Sequence, residues 1–346
     1  MIRDAIAQLV AGASLSETEA VGTMEEIMTG AATAAQIGSF LTALRIKGET
    51  VDEVAGLARG MRAQAVHVPL PEQVHAVDTC GTGGDGVGTF NVSTAAGILV
   101  ASLGQPVAKH GNRAMSSRCG SADVLEALGV RLELGPEQVA TCVQETGFGF
   151  MFAPTYHPAM RYVGPARREI GIRTVFNILG PLNNPAGVRF QVLGVADARS
   201  LPLMAEVLLR LGCRRALVVH SDDGLDELSV SAPTQVCEVR GDVGTMQTYT
   251  VTPAELGLFE YPRDTVLGGT AQENAATMRR ILAGEQSGAL SDMVALNSGA
   301  ALYVMDRVPN LRGGVELAQE ALRTGRALAT LDSLVAVSRS VSPELN

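Results

Sequence analysis

The chain has 346 residues, of which 46% are hydrophobic and 18% are charged, and its formal net charge is −9. This length predicts two domains or one large domain, because a domain commonly holds about 100–200 residues. The negative charge argues against nucleic-acid binding, which usually needs a basic face, so we expect no nucleic-acid partner. Phosphate ligands stay compatible with an acidic chain if its cations are concentrated in one place.

The cysteines and the apolar segments indicate the compartment. Neither a disulfide framework nor a zinc site is expected, because the five cysteines are scattered, odd in number and form no C-x-x-C pair. The first ten residues include Arg3 and Asp4 and lack an apolar signal core. No run of about 18 uncharged apolar residues occurs, so we expect no membrane span and a cytoplasmic protein.

The first 64 residues show apolar positions at helical spacing in four runs, 2–10, 17–28, 34–46 and 51–61. A connector with prolines at 69 and 71 follows. The pattern predicts a small helical domain over 1–70, and we expect helices from about 156–185 to join it. Nothing in the first 64 residues indicates catalysis.

From Val74 onward, short β-like runs alternate with helical ones, which is typical of a parallel α/β sheet. The fold class predicted is α/β, with the small helical domain followed by a larger domain over 71–346 that has a mostly parallel central sheet. Beyond residue 250 we expect mainly helices. The candidate strands are 74–78, 107–110, 148–153, 191–195 and 216–220, and the candidate late helices are 271–282, 291–304 and 315–337.

A glycine-rich stretch, DTCGTGGDGVGTFNVST at 78–94, lies between a predicted strand and a predicted helix. Glycine has no Cβ and tolerates positive φ, so such a loop can bring backbone N–H groups to a phosphate. A dinucleotide fingerprint does not fit, because the helix begins only near Asn91 and the next strand ends on Lys109-His110 instead of an acidic residue. A Walker A loop is excluded by the lack of Gly-Lys-Ser/Thr.

A second segment, KHGNRAMSSRCGSADVLEALG at 109–129, combines three cations with small hydrogen-bond donors. The two loops together offer more donors than one phosphate uses, and a pyrophosphate with a separate 5-phosphate would occupy them. A third segment, SDDGLDE at 221–227, places four carboxylates after a predicted strand. Mg²⁺ is a natural partner for such oxygens. An acidic, solvated turn is the alternative interpretation.

These segments closely resemble the anthranilate phosphoribosyltransferase family of the tryptophan pathway, and the resemblance runs through nearly the whole chain. It implies transfer of the phosphoribosyl group of 5-phosphoribosyl 1-pyrophosphate (PRPP) to anthranilate, Mg²⁺ as cofactor, small-molecule substrates and a homodimer. The metal is expected on Ser93, Asp226 and Glu227. The PRPP-binding residues that it implies are Gly81, Gly84, Asp85, Thr89, Asn91, Val92, Ser93, Thr94, Lys109, Asn112, Arg113, Ser116, Ser117 and Ser121.

The same resemblance places anthranilate on Gly81, Asn112 and Arg167. A planar guanidinium suits a carboxylate well. The alternative for Arg167 is an ion pair with Glu169 or exposure to solvent. The chain departs from the family at two positions here, because the family usually has two histidines where this chain has Tyr156-His157, and commonly a lysine at the position of Arg161.

Several assignments stay open at this stage. His110 is a candidate general base or a hydrogen-bonded structural residue, and Asp85 either binds a ribose hydroxyl or braces its loop. Ser93 and Thr94 are also suited to capping the helix that follows. Two other classes of protein compete: a pyrimidine nucleoside phosphorylase, which needs neither Arg167 nor a metal pair for pyrophosphate, and a non-catalytic nucleic-acid-binding relative, against which the net charge and the Asp226-Glu227 pair argue.

Overall fold

The structure is a computed structural model, which describes residues 1–114 and 118–342. Its N-terminal part is a bundle of four helices. Ser16, Thr33 and Thr50 cap the second, third and fourth of them in capping boxes, each with Glu or Gln three residues later. The predicted helical domain is confirmed. Its helices are α1 (Ile2–Val10), α2 (Glu17–Met28), α3 (Ala34–Lys47) and α4 (Val51–Ala63).

A seven-stranded sheet forms the centre of the larger part, and a mostly parallel sheet is thereby confirmed. The strands are β1 (Val77–Gly81), β2 (Val107–Gly111), β3 (Phe148–Phe152), β4 (Phe190–Gly194), β5 (Arg215–Ser221), β6 (Thr234–Arg240) and β7 (Thr245–Val251). Their order is β3-β2-β1-β4-β5-β6-β7, with β1 to β5 parallel and β6 and β7 antiparallel. Because the chain builds outward from β1 on one side and then returns to β4 on the other, a switch point lies between β1 and β4. Ligands of open α/β sheets bind at such a point.

Two expectations about the elements were wrong. The strand expected over 74–78 begins only at Val77, since a turn in which the Val74 N–H donates to the Pro71 carbonyl precedes it. The helix expected over 315–337 is two helices, separated at Gly325, whose φ is +67°. Strands β6 and β7 were not predicted, and most β7 side chains are exposed, so β7 lacks the apolar run that marked the other strands.

Helices cover both faces of the sheet and give two apolar cores. Successive strand residues face opposite cores: Val192 packs into one and Leu193 into the other, as the two-residue period of a strand requires. The second core also includes the helical bundle. The helices are α5 (Val92–Ser102), α6 (Ser121–Leu128), α7 (Pro136–Thr146), α8 (Ala153–Tyr156), α9 (Gly164–Ile170), α10 (Phe176–Leu179), α11 (Ser200–Arg210), α12 (Ala271–Leu282), α13 (Ala289–Val304), α14 (Leu311–Arg323) and α15 (Arg326–Ser340).

The segment from α8 to α10 packs against the N-terminal bundle. Helix α9 contacts α3, α10 contacts α4, and the 3-10 turn Pro158–Tyr162 contacts α2. Helix α11 also contacts α4, so the bundle lies against one face of the sheet. The division into 1–70 and 71–346 stays a prediction. Within residues 1–114 and 118–342, no helix has the length and apolar character that crossing a membrane requires.

Candidate active site

The glycine-rich loop connects the end of β1 to α5 beside the switch point. Four of its glycines, at 83, 84, 86 and 88, have φ between +66° and +75°, a conformation that other residues rarely adopt. The Gly83 N–H donates to Oδ2 of Asp226 at 2.7 Å. The Asp85 carboxylate accepts from the Val87 N–H at 3.1 Å, which is the loop-bracing arrangement considered above. The glycine-rich loop therefore forms an ordered turn at the carboxyl end of β1.

At the start of α5, the side chains of Asn91 and Ser93 bond to other segments and do not cap the helix. The N-cap is Asn91, and its side chain makes no cap hydrogen bond; its Nδ2 donates to the Cys119 carbonyl at 3.1 Å. Ser93 Oγ accepts from Nζ of Lys109 at 3.2 Å. The hydroxyl oxygens of Thr89 and Thr94 are buried and have no hydrogen-bond partner among the described residues. Buried hydroxyls without partners are unusual, and a bound phosphate would satisfy them.

Lys109 brings a buried cation to this region. Its side chain is only 2% exposed, and its ammonium also donates to the Thr79 carbonyl. Lysine is almost never fully buried unless it is paired. Two carboxylates lie nearby: burial raises the pKa of Asp78 to about 6 and, together with Asp226, that of Glu227 to about 8, and the charge of Lys109 offsets part of both increases. Lys109 therefore links the first loop electrostatically to the acidic segment.

The second loop is fastened to the start of α6. Asp123 accepts the backbone N–H groups of Ala114 and Gly120 at 2.9 and 2.8 Å, so one carboxylate holds both ends of the turn. The Arg113 guanidinium bonds to Asp123 at 3.1 Å and to Glu126 at 2.8 Å, and its charge is therefore already balanced by α6. Ser121 Oγ donates to the Asn112 carbonyl at 3.3 Å. Ser116 and Ser117 lie outside the described residues.

Asp226 and Glu227 follow β5 and lie against the end of β1. Burial and the neighbouring Asp85 raise the pKa of Asp226 to about 6, while burial and the adjacent Asp226 raise the pKa of Glu227 to about 8. The close approach depends on Gly81 and Gly194, where a Cβ would come within 2.4 and 1.6 Å of Asp226 atoms. Neither carboxylate forms a salt bridge in the described part of the chain.

This pair, with the Ser93 hydroxyl, whose interaction with Glu227 lowers the pKa of that carboxyl against the effect of burial, fits a magnesium ion. Residues 1–114 and 118–342 contain no cluster of three or more His, Cys, Asp or Glu side chains suited to a metal. Mg²⁺ does not need one, since it usually keeps several waters and takes one or two carboxylates plus substrate phosphates. Both carboxylates have raised pKa values and contact no cationic group in the residues that the structure describes. A bound Mg²⁺ would stabilise their ionised forms.

A cavity of about 520 Å³ opens between the helical bundle and the ends of β1 and β2. Arg167 lines it, with the guanidinium 5.3 Å from the centroid of the Phe176 ring, and burial lowers the Arg167 pKa. No ion pair joins Arg167 to Glu169 or to any other described residue within 4.0 Å, and Glu169 is exposed. The lining residues are Met61, Cys80, Gly81, Thr82, His110, Gly111, Asn112, Ala153, Pro154, His157, Pro158, Met160, Arg161, Arg167, Phe176, Asn177, Gly180 and Pro181.

Two histidines are among the residues that line this cavity. The rings of His110 and His157 lie 5.0 Å apart between centroids. Burial and the neighbouring His157 lower the pKa of His110 to about 3, and burial lowers the pKa of His157 to about 4. His157 Nε2 donates to the Asn183 carbonyl at 3.1 Å, whereas Nε2 of His110 has no partner among the described residues. Both imidazoles are therefore neutral near pH 7.

The structure brings together predicted site residues that lie far apart in the sequence. Gly81, Asn112 and Arg167, predicted to hold one substrate, all line the same cavity. Sequence reasoning missed Met61 of α4, which lines this cavity although nothing before residue 64 indicated catalysis. It also missed Arg173, which bonds to the glycine loop. At the departures from the family, Tyr156 is fully buried with its OH donating to the Leu134 carbonyl at 3.0 Å, and Arg161 lies over the Tyr162 ring at 4.8 Å.

The fold and the site together define a glycosyl transferase made of a helical bundle and an α/β domain. Residues 3–65 match the helical bundle domain model of the glycosyl transferase family, and residues 73–328 match the a/b domain model of that family.

Within that class, the chain belongs to the anthranilate phosphoribosyltransferase family. It is 55% identical to the anthranilate phosphoribosyltransferase of Roseiflexus sp. (strain RS-1) over 98% of both chains. The structure of anthranilate phosphoribosyltransferase from Thermus thermophilus is similar, with a TM-score of 0.92 and 47% identity over 97% of this chain and 99% of that one. The Saccharomyces cerevisiae enzyme, solved in complex with PRPP and Mg, gives a TM-score of 0.90 at 27% identity over 98% of both chains.

Proposed function

We propose that this protein transfers the phosphoribosyl group of PRPP to the amino group of anthranilate, giving N-(5-phosphoribosyl)anthranilate and pyrophosphate in L-tryptophan biosynthesis. One observation carries the proposal: the cavity lined by Arg167 opens directly beside the glycine loop and the end of β1. A site for a small carboxylic acid thus adjoins a site for phosphates. The high identity to named relatives supports the same reaction.

The donor substrate is proposed to lie along the two loops. The glycine loop would hold the pyrophosphate through backbone N–H groups, and the unpartnered hydroxyls of Thr89 and Thr94 would donate further hydrogen bonds to it. Lys109, Asn112 and Ser121, with Ser116 and Ser117, would complete the site for the ribose phosphate. The proposed set also contains Gly81, Gly84, Asp85, Asn91, Val92, Ser93 and Arg113, the last through its backbone, since its guanidinium is paired with α6.

Asp226, Glu227 and Ser93 are proposed to hold Mg²⁺. When bound, the ion would neutralise charge on the departing pyrophosphate. The chain contributes the placement of these oxygens. The loop after β5 approaches the β1 end because Gly81 and Gly194 leave room for it, and the Gly83 N–H fixes one carboxylate oxygen at 2.7 Å.

The acceptor is proposed to enter the cavity with its carboxylate on Arg167. The Arg167 guanidinium is partly desolvated and has no acidic partner among the described residues, so its N–H groups are available to a ligand. Its planar arrangement of donors matches a carboxylate. Gly81 and Asn112 line the same cavity and would direct the amino group towards C1 of the ribose.

In the reaction, the C1–O bond to pyrophosphate breaks and a C1–N bond to the acceptor forms, while the nitrogen loses one proton. The centre passes through an oxocarbenium-like state, so the protein's main contributions are orientation and stabilisation of the leaving charge. His110 lines the cavity and its Nε2 has no partner in the described chain, so it is a candidate acceptor for the proton, although a pKa of about 3 makes its imidazole a weak base.

We also propose a homodimer in the cytoplasm. Large apolar side chains are exposed on and beside the helical bundle, with Val10 73%, Ile46 82% and Ile172 49% exposed, and a second copy would cover them. All five cysteines are buried and free, which fits a reducing compartment.

The proposed activity is tested by following anthranilate fluorescence in a mixture of the purified protein, PRPP and Mg²⁺. The chain contains no tryptophan that would contribute a background. We expect a steady loss of signal that stops on addition of a chelator and resumes with excess Mg²⁺. An unchanged signal with folded protein would contradict the proposal and would direct attention to nucleosides with phosphate.

A further inference from the structure

Arg173 reaches across the cleft to the glycine loop. It follows α9, the helix that carries Arg167, and the next residues, Thr174 and Val175, are buried. Its Nη1 donates to the Gly84 carbonyl at 2.7 Å and its Nη2 to the Gly83 carbonyl at 3.2 Å. A segment that packs against the helical bundle is therefore bonded to a loop that belongs to the sheet.

The Gly83 peptide groups are held on two sides. Its N–H donates to Oδ2 of Asp226 at 2.7 Å, and its carbonyl accepts from Arg173. The guanidinium also lies directly over Gly84, where an added Cβ would be 2.2 Å from Nη1. These contacts come from two sequence-distant segments, one on each side of the loop.

A loop with this composition needs such restraints. Glycine loses more conformational freedom on ordering than any other residue, and four glycines at 83, 84, 86 and 88 adopt positive φ here. A loop that is already ordered binds its ligand more tightly, because the cost of ordering does not fall on the binding step. Arg173 supplies two of the few side-chain hydrogen bonds that this loop receives in the described structure.

We propose that Arg173 is a positioning residue, which rests on the proposed function: it fixes the glycine loop to the segment that carries Arg167. Through this contact the donors for pyrophosphate and the guanidinium for the acceptor carboxylate keep a defined separation. Its loss loosens the loop and so affects the use of PRPP, but it leaves binding of the acceptor almost unchanged, because α9, which carries Arg167, stays packed against α3 of the helical bundle.

The kinetic test compares Arg173→Met and Arg173→Lys with Arg168→Met, which removes the same charge from an exposed arginine five residues away. We expect Arg173→Met to raise the KM for PRPP about tenfold, the effect of losing charge-assisted hydrogen bonds at an exposed position. The KM for anthranilate should change less than about twofold, and Arg173→Lys, which has one point charge in place of a fork, should recover part of the loss. Equal KM increases for both substrates, or no difference from Arg168→Met, would overturn the proposal.

A second test needs no turnover. In the ligand-free protein, amide hydrogen exchange over residues 82–88 should be faster in Arg173→Met than in the unmodified chain and in Arg168→Met, with exchange in β1 and β4 unchanged. Unaltered exchange in the loop would contradict the positioning role. If the unmodified protein fails to consume anthranilate, the proposed function fails, while the exchange experiment still decides whether Arg173 orders the loop.

Discussion

His157 shows how one buried side chain sets the properties of the site. It is 5% exposed, and its Nε2–H is committed to the Asn183 carbonyl, so the ring must present Nδ1 as an acceptor. Its pKa of about 4 lies below the usual value of about 6.5 because burial disfavours the cation. The neighbouring His110 has an even lower pKa, in part because a second charge so close would be repelled.

This arrangement predicts a specific dependence of stability on pH. A histidine with a lowered native pKa binds fewer protons in the folded than in the unfolded state, so its contribution to stability is complete above about pH 6.5 and is lost as the pH falls towards 4. Between pH 7.5 and 5, His157 should account for a loss of about 2 kcal/mol in the free energy of unfolding.

Urea denaturation at both pH values measures this loss. His157→Gln keeps a donor for Asn183 but does not titrate, so its stability should decrease less between the two pH values than that of the unmodified chain. His75→Gln, at an exposed histidine, should behave like the unmodified chain. The same pH dependence in His157→Gln would mean that His157 does not carry the effect.

At the scale of elements, the end of β4 determines where the acidic loop lies. Gly194 pairs with Gly81 of β1, and a Cβ at Gly194 would be 1.6 Å from the Asp226 carbonyl oxygen. We expect Gly194→Ala to displace the Asp226 backbone, to lower stability by about 1–3 kcal/mol as overpacking does, and to raise the Mg²⁺ concentration needed for activity.

Thermal unfolding and a Mg²⁺ titration of the reaction test this expectation. The control is Gly313→Ala in α14, where the nearest atom to the new methyl group is 3.4 Å away and the helix favours alanine. Gly313→Ala should leave the Mg²⁺ requirement unchanged. If Gly194→Ala has the same Mg²⁺ requirement as the control, the loop does not depend on this glycine.

The unpredicted strand β6 is fixed by a buried charge network. Glu238 on β6 is 6% exposed; it pairs with Arg215 on β5 and accepts hydrogen bonds from Tyr249 and Tyr303, each at 3.0 Å. Arg215 is itself 4% exposed and pairs with Asp306 as well. Breaking a buried ion pair by removing one partner is more costly than removing both, because the remaining charge is left in the core.

Glu238→Leu should therefore destabilise the protein by about 3 kcal/mol, since it leaves Arg215 with a single carboxylate partner. Asp242→Asn, at an exposed acidic residue in the turn after β6, is the control and should have little effect. Equilibrium unfolding in urea gives both values. A loss no larger than that of the control would show that the network contributes little to the hairpin.

Local patterns explain which elements were predictable. Each of the four N-terminal helices and of the five predicted strands shows its apolar pattern within its own residues. Helix α5 begins at Val92, where the sequence indicated it. Strand β6 mixes polar and apolar residues on both faces, and β7 is mostly exposed, so neither shows an apolar run. Gly241 and Gly244 in the turn between the two strands were the available signal. Gly325 was the signal for the break between the last two helices.

At the scale of the molecule, the site exists only where the helical bundle meets the sheet. Met61 comes from the bundle, Arg167 from the segment packed on it, and Gly81 from β1, yet all three line one cavity. Residues within the loops were predictable because their composition indicates phosphate binding. Contacts such as those of Arg173 with Gly84 and of Asn184 with Asp78 were not, since they join positions 89 and 106 residues apart.

The central claim is that Arg167 recognises the acceptor carboxylate beside the phosphate loops. The most direct test compares kcat/KM for anthranilate with kcat/KM for 2-aminobenzamide, which keeps the amine but lacks the charge. This ratio is to be measured in the unmodified protein, in Arg167→Gln and in the control Arg168→Gln. Arg168 lies on the same short helix as Arg167 and is exposed.

We predict that the unmodified protein and Arg168→Gln strongly prefer anthranilate. In Arg167→Gln the preference should fall by about 10- to 100-fold, the equivalent of charge-assisted hydrogen bonds of about 1.5–3 kcal/mol. The loss should come from anthranilate, with little change for the amide. A preference in Arg167→Gln equal to that in Arg168→Gln would contradict the assignment of the cavity to the acceptor.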